Sequence, residues 1–390
     1  MKNVLWLASW YPNRMDNFDG DFIQRHARAV ANYCSVYVIC VIKDVSISGK
    51  ERVIEKKVTG NLTEEIIYYN SSKTGISILD KYFSQRKYNR LYQNVIKEYV
   101  AANGRPQLVH VHVGMKAGPL ALWMQRQWNI RFIVSEHWTG YLPNADIRLH
   151  SFSFIYRRWL KKVLINASAI TVVSEYLGNA IKKQFPVTNY RVIPNVVNTG
   201  IFLPVGKEPV ATTRFIHISN MTWQKNVEAM FQALSILKKN NVDFEMNVFG
   251  TVRSKYQQMI NELGLEGCVF LKGEVPQPEL AKAMQQSDAL VLYSRFETFG
   301  CVLIEANACG VPVIVSDIEV FHELIEEGRN GIFVKENAAS ALAEKLSAFI
   351  AQKNTFDKNT IAEAASAKYN FKRVGQQFID LYDELSPGKE

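Results

Sequence analysis

Ser294-Arg-Phe-Glu297-Thr-Phe-Gly300-Cys-Val-Leu-Ile-Glu305-Ala-Asn-Ala-Cys-Gly310-Val-Pro312 is the most informative stretch of this 390-residue sequence. An apolar strand is expected to end at Ser294. Glu297, Thr298, Phe299 and Gly300 then fill a turn, and a helix begins. The unpaired backbone N–H groups at such a helix start form an anion site. Glu297 and Glu305 are eight positions apart, which is at most about 12 Å along a helix axis. That span suits one elongated ligand with a phosphate in its middle. In such a ligand one carboxylate would meet a sugar end and the other ribose hydroxyls, since carboxylates are strong acceptors for paired hydroxyls. Alone, two carboxylates at this spacing read as a solvated helix face plus a loop charge. The segments around them change that reading.

Short apolar runs alternate with helical stretches on both sides of this segment. In the first half they are Val4–Trp10, Val36–Ile42, Leu108–Val113, Phe132–His137, Ile170–Ser174 and Arg191–Asn195. In the second half they are Phe215–Ser219, Phe244–Gly250, Val269–Gly273, Ala289–Ser294, Val311–Ser316 and Gly331–Val334. Continuous apolar strands alternating with helices predict parallel sheets covered on both faces. Two such sets predict an α/β protein of two doubly wound, Rossmann-like domains facing a cleft. The boundary falls in VVNTGIFLPVGKEPVATT, residues 196–213. The expected units are therefore 1–198, 199–370, and an amphipathic C-terminal helix in 371–390 that crosses back to the first domain.

Composition is ordinary for a globular chain, with 47% hydrophobic and 21% charged residues. The net charge of +9 is uneven. Residues 1–200 hold 27 Lys and Arg against 13 Asp and Glu, and residues 201–390 hold 19 against 24. A basic first half suits an anionic membrane, an anionic lipid carrier or nucleic acid. Cys34, Cys40, Cys268, Cys301 and Cys309 form no CxxC pair and read as free thiols of a reducing cytoplasm. No run is long and apolar enough to span a bilayer, and the first residues read as a strand and not as a signal peptide.

With Glu297, Glu305-Ala306 and Gly310-Val-Pro312-Val313 in this order, the sequence resembles the retaining GT-B glycosyltransferases, in particular glycosyltransferase family four. The continuation Ser316–Val334, with Glu323, Gly328 and Asn330-Gly331, is also similar to that family, as are segments along nearly the whole chain. Phe215–Lys225 resembles its strand and phosphate loop, with Lys225 at the pyrophosphate lysine. Gly250 ends the strand that leads into a Gly-rich turn. Val192-Ile-Pro194-Asn195 resembles its hinge, and Ser135-Glu136-His137 its strand-end histidine. Asp19-Gly20-Asp21-Phe22 falls at its N-terminal glycine loop.

The sequence also departs from the family. Asn220 replaces an Arg of the phosphate loop, for which Arg253 is a stand-in. Glu319-Val320 replace a Gly-Gly pair, and the N-terminal loop has one glycine where two are usual.

The resemblance implies a metal-independent, retaining, hexosyltransferase-type enzyme, with a nucleotide-diphosphate sugar as co-substrate and no other cofactor. Glu297, His137 and Lys225 are the implied catalytic residues. Lys225, Asn220, Arg253, Glu297, Thr298, Phe299, Gly300 and Glu305 would bind donor, and Gly20, Asp21, Phe22 and His112 would bind acceptor. His110 and His112 are read as pointing to opposite faces of their strand, with His112 the one reaching the cleft. Taken singly, His137 also reads as a satisfied strand-end histidine and Lys225 as a first-turn helix lysine.

The acceptor is expected to be a glycan or lipid-linked molecule in cell-surface polysaccharide or glycoconjugate synthesis. RLHSFSFIYRRWLKK, residues 148–162, mixes cations and aromatics in a way that suits an anionic membrane surface, at the inner face of the membrane. A GT-B epimerase or phosphorylase is the alternative. A non-enzymatic nucleic-acid-binding protein is a lower one, since no nucleic-acid motif is present. Asp19-Gly20-Asp21 has the Asp-x-Asp form of a metal site, but is read as turn and helix-start chemistry.

Overall fold

The computed structural model describes residues 2–47, 52–70, 77–187, 189–206, 211–335 and 338–385. The first half runs β1 (Asn3–Ala8), α1 (Asp21–Ala31), β2 (Ser35–Lys43), β3 (Val53–Thr59), β4 (Leu62–Tyr69), α2 (Ser77–Asn103), β5 (Leu108–His112), α3 (Gly118–Trp128), β6 (Phe132–Glu136), α4 (Phe154–Asn166), β7 (Ala169–Val172), α5 (Glu175–Gln184) and β8 (Arg191–Val192). The second runs β9 (Thr213–Ile218), α6 (Val227–Lys239), β10 (Phe244–Phe249), α7 (Ser254–Glu262), β11 (Val269–Gly273), α8 (Gln277–Gln285), β12 (Ala289–Leu292), α9 (Cys301–Ala308), β13 (Val313–Ser316), β14 (Gly331–Val334), α10 (Ala339–Gln352) and α11 (Lys358–Tyr369), followed by α12 (Phe371–Leu385).

The Val, Ile and Leu runs form strands because β-branched and apolar residues fit a pleated surface buried on both faces. The first sheet has the order β3-β4-β2-β1-β5-β6-β7-β8, parallel except for the β3–β4 pair. The second is β11-β10-β9-β12-β13-β14, parallel throughout. Strand order reverses at β1/β5 in one sheet and at β9/β12 in the other. Ligands of such sheets bind beyond the carboxyl ends of the strands at that reversal.

The structure corrects several sequence-based boundaries. β6, β7, β9, β10 and β12 stop one or two residues short of the expected ends, so His137, Ser174, Ser219, Gly250 and Ser294 lie past the ladder. β8 is reduced to two residues. β13 starts after Pro312, whose missing N–H cannot join a ladder. The β3–β4 hairpin was not anticipated. Its β3 strand is a largely exposed edge without an apolar run, and its partner β4 was missed with it.

α12 packs on α1. Its Val374, Phe378, Leu381 and Tyr382 are buried, and Tyr382 Oη lies 2.6 Å from His110 Nδ1. All five cysteines are unpaired.

Candidate active site

The turn after β9 and the turn after β12 meet through one ion pair. Lys225 ends a short 3-10 turn, Trp223–Lys225, and its Nζ donates to Glu297 Oε1 at 2.5 Å. Ser294 Oγ donates to the same oxygen at 2.8 Å, and Gln224 Nε2 donates to Glu297 Oε2 at 3.0 Å. Three donors thus hold a nearly buried carboxylate in one orientation. Gly300 starts α9 beside it. Gly250, at φ 126°, lies so near the β9 turn that a Cβ there would stand 1.6 Å from the Ser219 carbonyl oxygen. No other residue fits.

The facing wall comes from the first domain. His137 follows β6, and its ring lies 4.7 Å from that of Phe22. Burial, assisted by His26 and His110, pushes its pKa well below 6.5, so the imidazole is neutral. Asp21 opens α1. Between the two walls lies a cavity of about 410 Å³, lined in part by Asp21, Phe22, His137, Asn220, Lys225, Glu297, Thr298, Phe299, Gly300 and Glu305.

Other predicted residues lie elsewhere. Arg253 is exposed ahead of α7 and does not line the cavity, so the shortfall in cations left by Asn220 is not met by it in this structure. Gly20 is buried against the Trp10 backbone and shapes the loop without lining the cavity. His112 is fully buried, stacked 4.0 Å from Trp6, and off the cavity wall. Its ring is 4.1 Å from that of His110. The expectation of opposite faces is therefore wrong, because residues two apart in a strand share one face. Of the departures, Val320 is buried in the core and Glu319 exposed, and neither lines the cavity. Asp19 and Asp21 have separate partners. Asp21 accepts from Arg25 and Gln277, while Asp19 lies beside Asn13, its pKa raised to about 6 by burial and then by Asp16.

Sequence reading missed the contacts that join the domains. Arg25 of α1 reaches across to bond Glu305 and also bonds the Val196 carbonyl at 3.2 Å and Asp21 at 3.0 Å. Burial opposes the charge on Arg25, and Asp21 and Glu305 overcome it. Burial raises the Glu305 carboxyl while Arg25 pulls it back. Glu323 accepts from the Glu175 and Tyr176 N–H groups, both at 2.8 Å, and so caps α5 of the other domain. Ser174 Oγ donates to the Thr298 carbonyl at 2.7 Å. Only the Asp21–Arg25 spacing of four was visible as a helix pair.

Two α/β domains that meet over a phosphate-loop lysine, a paired glutamate and a helix start have the architecture of the GT-B glycosyltransferases, and the chain belongs to that class. Residues 52–200 match Glycosyltransferase Family 4, and residues 204–367 match Glycosyl transferases group 1.

Among similar proteins is a D-inositol 3-phosphate glycosyltransferase of Paenarthrobacter aurescens, 29% identical over 42% of this chain and 42% of its own length, so the match spans less than half of that relative. An uncharacterised glycosyltransferase of Methanocaldococcus jannaschii is 25% identical over 72% of this chain and 76% of its own. A GDP-mannose:cellobiosyl-diphosphopolyprenol alpha-mannosyltransferase of Xanthomonas campestris is 26% identical over 55% of this chain and 57% of its own. The fold is shared with sucrose-phosphate synthase of Thermosynechococcus elongatus, with a TM-score of 0.79 at 17% identity over 98% of this chain and 99% of that one. Anabaena HepE, solved with UDP and glucose, shares it with a TM-score of 0.71 at 16% identity over 98% and 99%. The three curated relatives are each named as a glycosyltransferase or mannosyltransferase, and none of the three as an epimerase, a phosphorylase or a nucleic-acid-binding protein.

Proposed function

We propose that the chain moves a hexose from a nucleotide-diphosphate sugar to a glycan or lipid-linked acceptor, with retention of anomeric configuration and without a divalent metal. The observation that carries this reading is the Lys225–Glu297 pair facing the neutral His137 across one cavity. When donor enters, Lys225 exchanges its carboxylate partner for the diphosphate, and the N–H groups at the α9 start share the phosphate charge. Glu297, still held by Ser294 and Gln224, is then free to orient the sugar hydroxyls. His137 hydrogen-bonds the sugar near its anomeric carbon, and the departing phosphate takes the acceptor proton. Glu305 receives the ribose when Arg25 gives up part of its contact.

The X. campestris relative is named for a diphosphopolyprenol acceptor, which supports a lipid-linked acceptor here. In the described residues no helix is long and apolar enough to cross a membrane. A surface contact is proposed instead, at the inner face of the membrane. On α4, Phe154 and Ile155 are each 69% exposed and Trp159 is 42% exposed, beside Arg157, Arg158, Lys161 and Lys162. Phe152 packs on Trp138 and Tyr156 on Phe152, and both belong to the core side of this segment.

A thermal-shift panel of UDP- and GDP-sugars, followed by product analysis, tests the reading. A ligand specific to the folded state stabilises it by RT ln(1 + [L]/Kd) and so raises the melting point. Transfer to added acceptor with retained configuration is the expected product. Epimerised donor formed without acceptor overturns it.

A further inference from the structure

His26, His112 and His137 stand at the corners of a near-equilateral triangle. Their ring centroids are 6.3 Å apart for His26–His112, 5.7 Å for His26–His137 and 5.9 Å for His112–His137. One nitrogen of each lies within 4.8 Å of the others. The other two buried histidines use both ring nitrogens. His110 bonds Tyr382 and Ser135, and His217 bonds the Val291 carbonyl and Ser219. The triangle differs. Both nitrogens of His112, both of His137 and Nδ1 of His26 are buried without a protein partner. A buried polar atom left without any partner is unfavourable.

The tautomer of His26 is fixed. Its Nε2 lies 3.0 Å from the Pro194 carbonyl, which can only accept, so Nε2 carries the proton and Nδ1 the lone pair. A carbonyl behind a ligating histidine plays this part in metal sites.

We propose that His26, His112 and His137 bind a divalent transition metal of the zinc class, with the fourth coordination position opening on the cleft beside His137. Three imidazoles and one open position form a zinc ligand set, and the lack of oxygen ligands disfavours magnesium or calcium. Tetrahedral ligands at Zn–N distances of about 2.0–2.1 Å lie roughly 3.4 Å apart, so ring rotations of about an ångström complete the site. The metal excludes donor sugar from His137 and so inhibits. That consequence rests on the sugar role proposed above, whereas metal binding does not.

Zinc and cobalt(II) titrations of the full chain, after chelator treatment and buffer exchange, test the site. Zinc saturates at one equivalent, and cobalt gives the intense visible bands of four-coordinate geometry. His26→Gln and His112→Asn each weaken zinc at least about tenfold, with folding checked by circular dichroism. His137→Asn, at the cavity wall, gives a third variant should the buried two not fold. His322→Gln, at an exposed position, leaves zinc affinity unchanged. No zinc binding by the folded chain, binding indifferent to these three histidines, or only the weak spectrum of six-coordinate cobalt overturns the site. If zinc binds at the triangle and nucleotide sugar leaves its affinity unaltered, the metal site stands and the sugar contact of His137 falls.

Discussion

Replacing Arg25 with Met removes a charge from the domain boundary while keeping the length of the side chain. Arg25 and Glu305 are 4% and 5% exposed at their side chains, so the change leaves Glu305 ionised, buried and without its cation. Breaking a buried pair by deleting one partner costs about 3–5 kcal/mol. The lost bond to Asp21 adds little, because that carboxylate is 29% exposed and screened by solvent. The deficit depends on pH. Burial raises the Glu305 carboxyl above its ordinary 4.5 and Arg25 opposes the rise, so the variant carboxyl moves higher still. A carboxyl raised in the folded state binds its proton there first, and stability then falls as pH rises through the raised value. The full deficit is expected at pH 8, and a smaller one at pH 5, where Glu305 can be protonated. Urea unfolding of both proteins at the two pH values measures it. An equal deficit at both, or wild-type stability at pH 8, refutes the reasoning.

Glu297→Gln should keep the fold and lose about 10²–10³-fold in kcat, and near-normal turnover would move the catalytic site elsewhere. Lys225→Ala should lose comparably, while turnover by the wild type does not fall in excess EDTA. Loss restored by manganese would return Asp19 and Asp21 to consideration as ligands. Gly250→Ala introduces a Cβ at 1.6 Å from the Ser219 oxygen, so strain of about 1–3 kcal/mol should appear as a lower melting point and weaker stabilisation by donor. A wild-type melt would show that the two turns are not held together. Sedimentation with anionic vesicles should show binding that fades with salt, weakened by about 1 kcal/mol for each of Arg157, Arg158, Lys161 and Lys162 removed, and an absence of binding at low salt removes the membrane contact.

The parallel strands were legible because a strand buried on both faces is apolar at every position, a signal that survives without knowledge of its neighbours. The Lys225 and Glu297 turns were legible through their motif, and both lie at the ends of strands adjoining the reversal in the second sheet. The β3–β4 hairpin had one available signal, Gly60-Asn61 between two extended runs, which is a two-residue turn pair. It was passed over because Val53–Thr59 is mostly charged or exposed. Arg25 with Glu305, and Glu323 with the α5 start, are separated by 280 and about 148 positions, and nothing local distinguishes those side chains from solvated ones. The histidine face was misjudged for a simpler reason, an error in strand parity.

The position of α12 also orders events during synthesis. The apolar side of α1 that Val374 and Phe378 help to cover belongs to the first domain, yet its cover is translated only after the whole second domain. At about 5–20 residues per second, the roughly 180 residues between β8 and α12 take on the order of 10–35 s to emerge. For that interval a nascent first domain carries Trp6, His110 and the α1 surface without their partners from α12. The second domain has time to fold before the first is sealed, and this uncovered face is where a ribosome-associated chaperone would find its substrate.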